Sequence, residues 1–93
     1  MAQITRKYPG KSAEEIFLRV DAVMQRLTAK MGLRYEKDPA ARTGRVSKMG
    51  ISGSYLAREG EVSVDLRFPM LVPGPMKRQV QDDIERRLDG LFA

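Results

Sequence analysis

Residues 12–31, SAEEIFLRVDAVMQRLTAKM, carry helix signals at both ends. Ser12 is an N-cap, and Glu15 three positions later completes a capping box. Glu14 and Glu15 suit the positive end of the helix dipole. Ala13, Ile16, Phe17, Val20, Met24, Leu27 and Met31 recur at three- and four-residue steps and form one apolar stripe. Arg19, Arg26 and Lys30 lie off it, and Glu15 with Arg19 makes a correctly oriented i,i+4 pair. Gly32 stands where a left-handed C′ residue belongs, with Leu33 behind it to pack onto the last turn. A one-sided helix must cover a second apolar surface, and the rest of the chain has to supply it.

The best supplier is residues 62–68. Val62, Val64, Leu66 and Phe68 alternate with Ser63, Asp65 and Arg67. That period of two describes a half-buried antiparallel strand with one wet face, and Pro69 ends it. Residues 2–8 predict a short first strand around Ile4, turned by Pro9 and Gly10. Residues 33–37 predict a second, with Leu33 and Tyr35 on one side. The stretch KDPAARTG reads as a loop. RVSKMGISGSYLA then reads as one glycine-interrupted strand. In it Met49, Ile51, Tyr55 and Ala57 alternate, and Gly50 and Gly53 mark a bulge or a close approach. REGE is a tight turn, with Gly60 free to take positive φ. A last helix starts at Pro75 with Gly74 as its cap, and Val80, Ile84, Leu88 and Leu91 line one face. Its i,i+4 pairs are Arg78 with Asp82, Asp82 with Arg86, and Asp83 with Arg87. The order is β-α-β-β-β-α. It predicts one domain over 1–93: an α+β two-layer sandwich, one antiparallel sheet with two helices on one face. The other sheet face is left bare, so a homodimer through that face or an edge strand stays open.

The chain has 93 residues, enough to bury ~60–65% of its unfolded surface. No run approaches the ~18 apolar residues of a membrane span. The first ten residues are basic without a following apolar segment, so a signal peptide is not expected and the chain reads as cytoplasmic. Cysteine and histidine are both absent. Disulfides, thiol nucleophiles and thiolate metal sites are therefore excluded, and the commonest general base is missing. The remaining acids cluster as Asp82, Asp83 and Glu85. Asp82 and Glu85 share a helix face and Asp83 points away, too few converging oxygens for magnesium or calcium. The glycines of MGISG have neither phosphate-loop spacing. The expectation is a protein that is not an enzyme, with no catalytic residue, cofactor or metal.

Two surfaces remain as candidates. The net charge is +5 and the isoelectric point about 9.9, so an acidic partner or surface is plausible. The charge is uneven: residues 39–58 hold no acid. Arg42, Arg45 and Lys48 in that stretch suit phosphate, which makes a small nucleic-acid-binding accessory domain the alternative function. No helix-turn-helix, RNP-like or KH-type pattern supports it, and Tyr35 and Tyr55 fit core-side positions. The second surface is RFPMLVPGPMKRQV, residues 67–80. Met70, Leu71 and Val72 form an apolar connector. Lys77 and Arg78 occupy the first turn of a helix, where positive charge opposes the dipole. Departures of this kind concentrate at functional sites, and free backbone N–H groups there suit an anion. Buried, these residues are a lid on the core; exposed, they form an apolar tip with a cationic collar.

The C-terminal half also resembles a known family. Gly50, Ile51, Ser52 and Gly53, the alternating run 62–68, and Leu88, Asp89, Gly90 and Leu91 are similar to the Gly-x-x-Gly strand, alternating strand and Leu-Asp-x-Leu ending of the putative polyhydroxyalkanoic acid system proteins. The leading strand and the amphipathic helix fit as well. Tyr8 stands where that family often has histidine, and KDPAARTGRVSKM replaces a shorter Gly-Asp hairpin. The resemblance implies association with bacterial polyhydroxyalkanoate storage and carries no catalytic residue. The expectation built on it is an accessory binding protein that acts at the storage granule surface or on a granule protein. A cationic domain with an apolar tip is compatible with a polyester coated by protein and lipid. The contact would run through Met70, Leu71, Val72, Lys77 and Arg78.

Overall fold

The computed structural model describes residues 2–92. Among them, β1 (Ala2–Lys7), α1 (Ala13–Met31), β2 (Arg34–Asp38), β3 (Thr43–Lys48), β4 (Ile51–Arg58), β5 (Glu61–Arg67) and α2 (Gly74–Asp89) follow in order. One antiparallel sheet takes the strands as β1-β5-β4-β3-β2. Both helices cover the same face, and the sheet is open. This is the expected α+β arrangement with one correction: the order is β-α-β-β-β-β-α, with a fifth strand.

The extra strand comes from residues 45–57, which fold as two strands instead of one. Met49 and Gly50 take φ of 52° and 86°. Positive φ at both central positions matches the right-handed twist of a two-residue hairpin. The turn turns Met49 out to solvent, 88% exposed, where the single-strand reading placed it among the core-facing residues. The next loop is shorter than KDPAARTG suggested. The Asp38 carboxylate accepts from the backbone N–H of Ala40 and Ala41 at 3.1 and 3.3 Å, so β2 and β3 pair right up to a tight turn.

α1 forms as its signals require. The Ser12 hydroxyl accepts from the Glu15 N–H, and the Glu15 carboxylate accepts from the Ser12 N–H. Gly32 closes the helix at φ 67°, its N–H donating to the Thr28 carbonyl. Ile16, Phe17, Val20, Met24 and Leu27 are buried against Tyr55, Ala57, Val62 and Val64 of the sheet. Tyr55 needs room on its other side. A Cβ on Gly44 would stand 2.3 Å from its ring, so only glycine fits opposite it.

One polar residue lies inside this interface. Asp21, 7% exposed, accepts from Tyr35 at 2.7 Å, Gln25 at 2.8 Å and Lys37 at 3.1 Å. The Tyr35 hydroxyl hydrogen is thereby used, so Tyr55 donates to the Tyr35 oxygen across 2.7 Å. Burial, then the hydrogen bonds to Tyr55 and Asp21, push the Tyr35 phenol well above its ordinary pKa. Burial raises Tyr55 as well. The network is satisfied throughout and ties α1 to β2 and β4.

α2 is held differently. Its N-cap is Pro73, not Gly74, and no side chain caps its N-terminus. Leu88 is the helix's one buried residue. Arg6 of β1 reaches Asp89 at 2.7 Å and Glu85 at 3.4 Å. The Tyr8 hydroxyl donates to the Leu88 carbonyl at 2.7 Å. All these anchors lie in the C-terminal half. Of the three expected intrahelical ion pairs, Asp83 with Arg87 forms, at 3.1 Å. Asp82 is left to solvent.

Candidate functional site

The uneven hold on α2 creates the site. Antiparallel pairing places the N-terminus of α1, the β4–β5 turn and the C-terminus of α2 at one end of a molecule 40 Å long. This end is closed. Leu88 and Leu91 are buried there, and Phe92 packs edge-on to Tyr8 at 5.2 Å under Lys11 and Arg19.

The other end is open. It collects the C-terminus of α1, the β3–β4 hairpin, the end of β5 and the start of α2. Pro69 lies beside Gly50, at 3.0 Å from where a Cβ would stand, so the connector after β5 meets the hairpin tip. Five large apolar side chains project here: Met31 and Met76 at 49% exposure, Met49 at 88%, Met70 at 94% and Leu71 at 93%. Leu18, on the outer side of α1, is the one exposed large apolar residue elsewhere among the described residues.

From this end a groove of about 230 Å³ runs inward between the helices. Met24, Leu27 and Met31 of α1 form one wall, and Val80 and Ile84 of α2 the other. Val46, Ile51, Gly53 and Leu66 form the floor. A Cβ on Gly53 would meet Leu66 at 3.2 Å and Val46 at 3.5 Å, so this glycine sets the floor's depth. The groove exists because the N-terminal half of α2 contributes only half-buried residues and leaves the sheet face partly bare.

The connector is thus exposed: Met70 and Leu71 stand in solvent and Val72 is half-buried. It is not a lid on the core. Lys77 is half-buried on the α2 stripe that leads to Val80, and Arg78 is exposed. Among the described residues, neither pairs with a carboxylate; the expected partner of Arg78, Asp82, does not reach it. The first turn of α2 holds no acid, so its dipole and two cations add in sign. Sequence reasoning missed the methionines of the rim, Met31, Met49 and Met76. It assigned Met31 and Met49 to the core because their spacing fits the stripe and the strand.

The other basic group is dispersed. Arg42 lies in the β2–β3 turn at φ 56°. Arg45 projects from the bare face of β3, and Lys48 from the opposite face, where its ammonium donates to the Met31 carbonyl. The run from Arg42 to Lys48 spans about 20 Å of extended chain. The bare face itself is mixed in sign, with Glu36, Asp38 and Asp65 beside Arg45 and Arg58 around a shallow polar concavity. Among the described residues, no three metal-ligating side chains converge. No helix there is long and apolar enough to cross a membrane.

The model of one protein family matches residues 3–92, nearly the whole chain. The chain belongs to the putative polyhydroxyalkanoic acid system protein family. Comparison with curated proteins and with solved structures returns no match. The family is named for the polyhydroxyalkanoate system, and the open, methionine-rimmed end is this member's most distinct surface.

Proposed function

We propose that this chain is a non-enzymatic accessory binding protein of the polyhydroxyalkanoate system, and that it docks by its open end on the granule surface. The observation that carries this is the segregation of exposed large apolar side chains around one groove mouth. Scattered apolar residues are ordinary on a protein surface, whereas a contiguous patch marks an interaction site. Methionine suits a partner without fixed shape, because its unbranched chain repacks against an irregular surface. Lys77 and Arg78 form a cationic collar suited to the anionic groups of a lipid or protein coat. The groove walls offer hydrocarbon, and Asp83 among them is held by Arg87.

Co-sedimentation with purified granules tests the reading. Burying a side chain such as Leu71 contributes roughly 1.5–3 kcal/mol. Leu71→Asp is therefore expected to weaken partition at least tenfold, and the Leu71→Asp, Lys77→Glu double variant further. Leu18→Asp, the control away from the open end, is expected to sediment as the parent does. Equal sedimentation of all four proteins overturns the proposal.

A further inference from the structure

The groove behind the methionine rim has a size and a charge pattern of its own. One turn of an α-helix, ~10 Å across and ~5.4 Å long, displaces on the order of 400 Å³. The groove holds about 230 Å³, so a partner helix reaches it with side chains alone and its backbone cannot enter. A single extended hydrocarbon chain can, since the volume equals that of about seven or eight water-sized groups at ~30 Å³ each.

The charges around the groove select the head group. Asp83, the one carboxylate lining the groove among the described residues, is engaged by Arg87 at 3.1 Å and faces Arg86 at 4.0 Å. Lys48 lines the mouth from β3, its ammonium resting on the Met31 carbonyl. Lys77 stands one turn before Val80 on the same stripe of α2 and is half-buried. Neither lysine pairs with a carboxylate among the described residues. The walls thus carry no free negative charge; Lys48 lines the groove, and Lys77 stands one turn before its wall residue Val80.

We infer that the groove binds one medium-chain fatty acid, with its alkyl chain between α1 and α2 and its carboxylate at Lys48 and Lys77. The inference deepens the docking reading and rests on it for the role of the open end. Gly53 provides the depth, Met24 and Met31 adapt to the chain, and the loosely held N-terminal half of α2 admits it.

The test is a titration of the full chain with straight-chain carboxylates of six to fourteen carbons, below their aggregation concentrations, followed by amide NMR. Saturable one-to-one binding is expected, with shifts at Val46, Gly53, Val80 and Ile84. Affinity should rise about fourfold per added methylene and level off beyond about nine carbons, where the groove is full. Decylammonium should bind at least tenfold more weakly than decanoate. Lys48→Glu with Lys77→Glu should reverse that order, and Val80→Glu should weaken decanoate at least tenfold. Affinity that keeps rising through fourteen carbons overturns the inference, as does equal binding of acid and amine. Leu71→Asp separates the two readings, since it should lose granule sedimentation and keep decanoate. If decanoate fails to bind while Leu71→Asp still releases granules, only the ligand inference falls. If decanoate binds and Leu71→Asp still sediments, only the docking reading falls.

Discussion

α1 and α2 lie on the same sheet face but are held to it in different ways. α1 is capped at both ends, buries a stripe along its length and carries a satisfied polar network at its centre. α2 begins without a side-chain cap, carries two cations where acids belong, and is anchored by Leu88, Tyr8 and Arg6 at its far end. The difference separates two tasks. α1 with β4 and β5 makes the fold stable, whereas α2 closes one end and leaves the other as a surface. The two helix starts show the contrast: α1 begins with a capping box and acids, and α2 begins uncapped with cations at the groove end, the kind of departure from local preference that accompanies a site.

The comparison is broken most directly by removing the anchor. Leu88→Ala is expected to cost about 2–5 kcal/mol in denaturant unfolding. Val80→Ala on the same helix should cost below about 1 kcal/mol, because Val80 borders a groove. Equal losses at the two positions would mean that α2 packs evenly and that no open end exists. Gly44→Ala comes next. With a Cβ 2.3 Å from the Tyr55 ring, overpacking should cost about 1–3 kcal/mol, read in the same assay.

Smaller effects sharpen the contrast between the helix starts. Ser12→Ala should remove about 1 kcal/mol through the lost cap. Lys77→Glu should act in the opposite direction and stabilise the chain by about 0.3–1 kcal/mol through the dipole, while weakening granule partition. A variant that folds better and binds worse would assign Lys77 to the surface. Destabilisation by Lys77→Glu would instead assign it to the fold.

The smallest effect concerns pH. Burial raises the Tyr8 phenol from 10.0 to about 12, with Asp89 adding to the shift. The folded chain keeps a proton that the unfolded chain releases near pH 10. The resulting stabilisation is complete below that pH and is lost as pH rises through about 12. Tyr8→Phe should therefore flatten the fall in stability above pH 10 and lower stability at neutral pH, where the bond to the Leu88 carbonyl is gone. An unchanged alkaline slope in Tyr8→Phe would show that Tyr8 does not report on closure of this end.

Much of this was legible in the residues, because the signals were local. The capping box, Gly32 and the alternation of 62–68 each fix φ/ψ or face within a few positions, and all appear as read. The hairpin at Met49 and Gly50 was not legible, since methionine rarely takes positive φ and the flanking residues keep a period of two across the turn. Asp21 was missed although it follows Phe17 by four residues and so falls on the stripe; its partners Tyr35 and Lys37 come from a strand, a pairing that spacing does not reveal. The site was half legible. Met70, Leu71, Lys77 and Arg78 stood out by breaking rules. Met31, Met49 and Met76 did not, because an apolar residue at a core spacing gives no sign that its element ends before the core does.

Amide hydrogen exchange with and without polyhydroxyalkanoate particles tests the central claim most directly. The account predicts slowed exchange in residues 46–51 and 70–84, around the open end, and no change around Tyr8, Leu88 and Leu91 at the closed end. Protection confined to the bare sheet face around Arg45 and Asp65, or none at all, would contradict it.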